Sequence, residues 1–211
     1  MKIGIIGPGA MGTALARLWA AAGHEVMVSY SRDESRMAAL VAELGPGASW
    51  GTADQAAHFG EVVVLAVPWW AVPQAIAAAN GALEGKILID VTNPLKADYS
   101  GLAVGTDDSG GEQIAQLSDA RVVKAYNTVL ARDLQAESRT YGHHVPALLY
   151  AGDDAEAKAV VAPLIEQTGF RPVDAGPLRS ARYLEPLVML NIELGRTRKL
   201  KPDFILTLVE R

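Results

Sequence analysis

The stretch Lys2-Ile3-Gly4-Ile5-Ile6-Gly7-Pro8-Gly9-Ala10-Met11-Gly12 decides the fold. Ile3, Ile5 and Ile6 form a short β-branched apolar run with Gly4 set into it, the pattern of a buried parallel strand. A glycine turn follows at once, and Thr13-Ala14-Leu15-Ala16-Arg17-Leu18-Trp19-Ala20-Ala21 continues as helix. Strand, G-x-G-x-x-G, helix is the context in which these glycines signal a dinucleotide site. Gly7 permits the tight turn, Gly9 lets the backbone approach a pyrophosphate, and Gly12 lets the helix lie close on the strand. Pro8, Ala10 and Met11 fill the positions between, and phosphates meet free N–H groups at the helix N-terminus. Gly7 through Gly12 are therefore the first cofactor-binding candidates.

The next segment bears on which dinucleotide. Ala22-Gly23-His24 ends the helix, with Gly23 as its C′ residue. Glu25 to Tyr30 reads as a second strand, and a site for NAD normally puts Asp or Glu near its end. Here the run is Ser29-Tyr30-Ser31-Arg32, with no acid before Arg32. Ser31 can donate to a phosphate oxygen, and Arg32 offers a planar fork suited to a 2′-phosphate. Arg36, one helical turn on, reaches the same anion. The expectation is NADP(H) held by Ser31, Arg32 and Arg36; the plain alternative is that both arginines are solvated residues at a helix start, with Asp33 as its cap.

Helix is expected over 34–44 and strand over 48–51, where Trp50 reads as a packing aromatic. A short helix over 52–59 precedes Glu61-Val62-Val63-Val64-Leu65-Ala66-Val67-Pro68, a central parallel strand. Trp69 and Trp70 stand at its mouth, and two adjacent tryptophans cannot both face the core, so one is exposed or lines a pocket. Helix over 71–79, with Pro73 in its first turn, and strand over 86–91 bring the chain to Thr92-Asn93-Pro94-Leu95. Successive βα units without internal repeats describe a Rossmann-type, doubly wound, mostly parallel sheet. Residues 96–111 are polar and glycine-rich, a long loop of the kind that is often functional. Helix over 112–117, strand over 121–126, strand over 145–152, helix over 153–168 and strand over 171–174 follow. Residues 177–199 form a long apolar helical region with Pro186 as a candidate break. The division expected is a NADP-binding domain, 1–176, and a helical extension, 177–211.

The chain has 211 residues, half of them hydrophobic, a formal net charge of -5 and no cysteine. That supports a sizeable core, offers no clustered basic surface for nucleic acid and excludes disulfide or thiolate chemistry. No apolar run is long enough to span a membrane, and with a strand starting at residue 2 no signal peptide is expected. A cytoplasmic protein follows from that reading. No metal-ligand spacing occurs, and the adjacent His143 and His144 read as exposed loop residues.

No acid–base pair can be singled out, so no catalytic residue is assigned. Hydride transfer between two ring systems does not require one, because the nicotinamide carries the chemistry and the protein supplies binding and orientation. The walls for such rings are the carboxyl ends of the strands: Ala66-Val67-Pro68-Trp69, Thr92-Asn93-Pro94-Leu95 and Asn127-Thr128-Val129. Asn93 and Asn127 can each pair with a carboxamide or ring carbonyl through one donor and one acceptor. Asn127 has the alternative of bonding its own backbone.

On these residues the chain resembles the NADPH:F-420 oxidoreductases, small enzymes that pass hydride between NADP and a deazaflavin coenzyme. The similarity runs through the glycine turn, AGHEV, SRD, AVPW, TNPL, RVVKAYNTV and GDDAEAKAVVAPLIEQTGFRPVDAGPL. The cytoplasmic domains of transmembrane ferric reductases share the pattern. The resemblance implies NADP bound through Gly7 to Gly12, Ser31 and Arg32, with Arg36 at a position often basic; the strand ends add Ala66, Val67, Pro68 and Asn93 as cofactor candidates. It implies a second substrate, coenzyme F-420 or a flavin, near Asn127 to Val129 and the C-terminal end of the chain, and the strand ends add Trp69 as a wall for it. The chain departs from deazaflavin-using members in carrying Asn127 where a histidine is expected, and in its tail. The competing reading is a reductase of small C=N or C=O compounds, whose members usually add a larger helical domain with a proton donor; a non-catalytic NADP-binding protein is the third. A homodimer through the apolar C-terminal region is expected.

Overall fold

The structure, a computed structural model, describes residues 1–29, 34–135, 144–197, 204–205 and 207–208. In chain order the elements are β1 (Lys2–Ile6), α1 (Ala10–Ala21), β2 (Glu25–Ser29), α2 (Glu34–Leu44), β3 (Ala48–Gly51), α3 (Ala53–Phe59), β4 (Val62–Leu65), α4 (Val72–Ala78), β5 (Ile87–Asp90), α5 (Gly110–Ser118), β6 (Arg121–Lys124), α6 (Ala131–Gln135), β7 (Ala147–Gly152), α7 (Ala155–Gln167), β8 (Arg171–Asp174) and α8 (Ala181–Thr197). Single 3-10 turns at Trp69–Ala71 and Leu178–Ser180 lead into α4 and α8.

The strands form one sheet in the order β3-β2-β1-β4-β5-β6-β7-β8. β1 to β6 are parallel, β7 runs antiparallel to β6, and β8 is parallel to β7. The chain leaves β1 toward one edge and returns through β4 on the other side. This topological switch point opens a crevice beyond the carboxyl ends of the strands, where ligands of open α/β sheets bind.

Both sheet faces are buried, which is why the strands read as continuous apolar runs rather than alternating ones. Ile3, Ile5, Val62, Val64 and Ile89 face a cluster with α1, α2 and α7; Ile6, Val63, Leu65 and Leu88 face α3, α4 and α5. Trp19 is the largest fully buried side chain. Its indole N–H donates to the Leu164 carbonyl at 3.0 Å, tying α1 to α7, and Tyr126 meets its ring edge-on at 6.1 Å. Removing an aromatic so placed costs about 3–5 kcal/mol.

Several sequence expectations shift in detail. α8 passes through Pro186 without a break, with Leu184 and Val188 on either side of it buried. α5 begins two residues earlier than the pattern suggests, because Ser109 caps it through the Glu112 N–H. β7 starts at Ala147 rather than at residue 145. Trp50 is not a core aromatic: it lies on the edge strand β3 and is exposed. Thr52 and Gln55 form a reciprocal capping box at α3, and Gly23 takes the left-handed conformation expected after α1.

Candidate functional site

β1 ends at Ile6, and Gly7 turns the chain with φ 108°, a conformation that favours glycine. A Cβ there would lie 2.5 Å from the Ala66 carbonyl oxygen. The turn is pinned from three sides. The Gly7 N–H donates to Ser29 Oγ at 3.1 Å, at the end of β2. The Pro8 carbonyl accepts from Thr13 Oγ1 at 3.2 Å and from the Arg36 guanidinium at 3.3 Å. Gly12 sits under the turn: a Cβ would collide with the Gly7 carbonyl oxygen and crowd Ile5. Gly9 is different. Its φ of -72° suits any residue, and a Cβ there would find only the Ala66 oxygen, 4.0 Å away. Gly9 is also the N-cap of α1, without a capping side chain, and the first turn holds no acid. The N-terminal N–H groups and the positive end of the helix dipole are thus presented to an anion.

The crevice has two chambers that share Gly9, Ala66, Val67, Pro68 and Trp70. One, of about 670 Å³, lies over the glycine turn and is lined by Gly7, Pro8, Ser29, Arg36, Thr52 and Gln74 among others. The other, of about 360 Å³, lies over β5 and β6 and takes in Ala10, Met11, Trp69, Thr92, Asn93, Lys96, Tyr99, Asn127 and Val129. The structure therefore brings together the expected positions from three strand ends. Gly12 supports the turn from below rather than lining a chamber. Ser31 and Arg32 lie outside the described residues. Of the two tryptophans, Trp69 packs toward the core and Trp70 is 75% exposed, standing between the chambers.

The two asparagines, candidates for pairing with a carboxamide or ring carbonyl, are bonded to each other. Asn93 Nδ2 donates to the Asn127 carbonyl at 2.8 Å, and Asn127 Nδ2 donates to Asn93 Oδ1 at 3.1 Å and to the Leu184 carbonyl at 2.8 Å. Asn127 is buried, and its Oδ1 has no partner among the described residues. The residue before it, Tyr126, has φ 62°, uncommon for a bulky side chain. Its hydroxyl is fixed by Thr168 at 3.2 Å, and burial pushes its pKa up, against the opposing effect of that bond.

Beneath the second chamber lies a buried ionic cluster. Lys124 Nζ is 2.8 Å from both Asp90 Oδ2 and Glu185 Oε1, and donates to the Thr92 carbonyl at 2.7 Å. Asp90 Oδ1 accepts from the Thr92 N–H at 2.8 Å. Glu185 also accepts from the N–H groups of Gly110 and Gly111 at 2.9 and 3.0 Å, at the start of α5. Asp90 and Lys124 are fully buried and Glu185 is 2% exposed. Burial opposes the Lys124 ammonium, but the two carboxylates outweigh it and hold its pKa above the ordinary lysine value. Nearby, Arg182 grips Glu112 at 2.7 and 2.8 Å, and that bond holds the Glu112 carboxyl below its usual range. No spacing points to this cluster, since its members lie on two strands and a distant helix. The one local sign is a charged residue ending each of two apolar strands, in ILID and RVVK.

A doubly wound sheet, an uncapped helix behind a glycine turn and a two-chambered crevice at the switch point define a dinucleotide-binding α/β protein. Residues 2–94 match the family model for NADP oxidoreductase, coenzyme F420-dependent. The chain is 33% identical to the F420-dependent NADP reductase of Methanothermobacter thermautotrophicus, over 92% of this chain and 89% of that one. The chain belongs to this family. It is also 34% identical to rat Metalloreductase STEAP3, over 88% of this chain but only 36% of the relative's length. A solved structure from Arthrobacter sp. FB24, provisionally described as an F420-dependent NADP reductase, superposes with a TM-score of 0.88 at 30% identity, covering all of both chains. An imine reductase from Streptomyces aurantiacus, 20% identical with a TM-score of 0.64, covering 92% of this chain and 62% of that one, shares the fold.

Proposed function

We propose that this protein transfers hydride between NADP(H) and a deazaflavin or flavin-type ring, coenzyme F-420 or a flavin. The observation that carries this reading is the pair of chambers joined at Gly9 and Ala66 to Pro68. In it the adenosine half of NADP(H) lies in the larger chamber, with its 2′-phosphate toward Ser31, Arg32 and Arg36. Its pyrophosphate lies over Gly9 at the start of α1. The nicotinamide passes Ala66, Val67 and Pro68 into the second chamber, with Asn93 at its end, and the acceptor ring stacks there against Trp69, Asn127 and Val129.

Among the described residues that line the second chamber there is no carboxylate and no histidine. Its walls are mostly aromatic, aliphatic and amide groups, with Thr92 and Lys96 beside them, and suit two stacked rings at a near-attack distance of about 3–3.5 Å. NADPH, one proton and the oxidised acceptor give NADP⁺ and the two-electron-reduced acceptor; the protein holds the rings and keeps water from between them. Family membership supports the same pairing of substrates.

Mixing reduced NADP with coenzyme F-420, FMN, FAD or a cyclic imine, and following the loss of nicotinamide absorbance, tests the proposal. Turnover with a deazaflavin or flavin is expected. Turnover with the imine alone would replace this reading with that of a C=N reductase. The apolar residues exposed on α8, Tyr183 and Leu190, support a homodimer; light scattering should report twice the mass of one chain.

A further inference from the structure

The buried cluster and the asparagine pair are parts of one closed chain of bonds. Asp90 and Lys124 fix the Thr92 backbone from both sides, binding its N–H and its carbonyl. Thr92 leads into Asn93, whose amide is locked to Asn127. Asn127 reaches the Leu184 carbonyl on α8. The next residue on α8 is Glu185, which returns to Lys124. Glu185 also holds the first N–H groups of α5, and so the exit of the long loop whose residues Lys96 and Tyr99 line the second chamber.

We propose that Asp90, Lys124 and Glu185 are positioning residues for the acceptor ring, acting through Thr92, Asn93 and Asn127, with Glu185 linking α8 and α5 to the floor of the second chamber. The proposal rests on the hydride-transfer reading above. Two carboxylates and one ammonium leave the cluster one negative charge in excess. A stability device alone has no need of that arrangement, since buried ion pairs are commonly matched or surpassed by apolar packing. What three mutually bonded charges add is a single geometry: each link is directional, and the Asn127 amide is left with one orientation. The larger chamber shares no bond with the circuit, so the circuit bears on the acceptor and not on the adenosine half.

The test is Glu185→Gln in the full chain. It leaves a neutral Asp90–Lys124 pair, and the glutamine oxygen still serves an α5 N–H. The KM for the acceptor should rise about tenfold, a middle value for residues sharing a hydrogen-bond network. The Kd for 2′,5′-ADP, a probe of the adenosine half alone, should stay within about twofold, read by titration without acceptor. In an Asn127→Ala background the same substitution should have a smaller further effect on the acceptor KM, because one of its routes is already cut. If Glu185→Gln is not recovered folded, the neutral set Asp90→Asn, Lys124→Met, Glu185→Gln carries the same expectation. Equal losses for acceptor and 2′,5′-ADP, or an effect undiminished beside Asn127→Ala, would overturn the proposal. Absence of wild-type turnover with any deazaflavin or flavin would overturn the hydride-transfer reading instead.

Discussion

Gly9 and Gly12 belong to one motif, yet the structure separates what each does, and alanine at the two positions should have opposite consequences. At Gly9 the backbone is extended (φ -72°, ψ -173°) and a Cβ enters open space. Restricting the unfolded chain favours alanine by about 0.4–1 kcal/mol. Alanine is a poorer N-cap than glycine by a similar amount, about 0.5–1 kcal/mol. The two offset, so Gly9→Ala should keep the wild-type melting temperature to within about 2 °C. The methyl instead occupies the space through which a pyrophosphate approaches the helix N-terminus. The Kd for NADP⁺ should rise at least about tenfold, equivalent to about 1.4 kcal/mol. At Gly12 the Cβ strikes the Gly7 carbonyl oxygen and comes within 3.2 Å of Ile5 Cγ2 and 3.3 Å of Ala66 Cβ. Backbone must move, at about 1–3 kcal/mol, which for a domain of this size lowers the melting temperature by about 2–12 °C. Calorimetry of the free protein and NADP⁺ titration separate the two outcomes. A Gly9→Ala protein that binds NADP⁺ normally would refute the argument that the gap above Gly9 serves a ligand.

Replacing Arg32 by alanine should weaken NADPH by about tenfold or more, as for loss of a charge-assisted bond, and leave NADH nearly unchanged; paired titrations with both nucleotides check this. Lys124→Met strands two buried carboxylates and should destabilise by about 3–5 kcal/mol, read from denaturant midpoints. The Lys124 pKa is raised above 10.5 in the folded protein. Its contribution is therefore complete below that value and lost as pH climbs through the higher folded pKa, so the gap between wild type and Lys124→Met should narrow in strong alkali. Trp70, exposed between the chambers, should dominate the fluorescence change on NADP⁺ binding, and Trp70→Phe should abolish most of that change.

The nucleotide half of the fold was plain from local pattern. The glycine turn and the runs at 62–65 and 87–90 each carry their signal within a few residues, and the structure has the turn and the two strands there. Three features were not legible. The antiparallel setting of β7 depends on a connection with no directional signature. The continuity of α8 past Pro186 depends on tertiary packing that outweighs propensity. The cluster of Asp90, Lys124 and Glu185 is assembled from residues up to 95 positions apart, and spacing rules see only neighbours. Asn93 and Asn127 were found as a pair of polar strand-end residues, but only the coordinates show that each spends its amide on the other.

The bond from the Trp19 indole to the Leu164 carbonyl spans 145 residues, and it has a consequence for synthesis on the ribosome. The glycine turn and α1 emerge before α7, since chains appear in N-to-C order during translation. Yet the indole of Trp19, the largest side chain of α1, lacks its bonding partner until α7 arrives, 145 residues on. Through that interval a nascent chain carries an indole in want of cover, the kind of surface that chaperones and aggregation compete for. The helix that follows the nucleotide turn is thus made long before the packing that completes it.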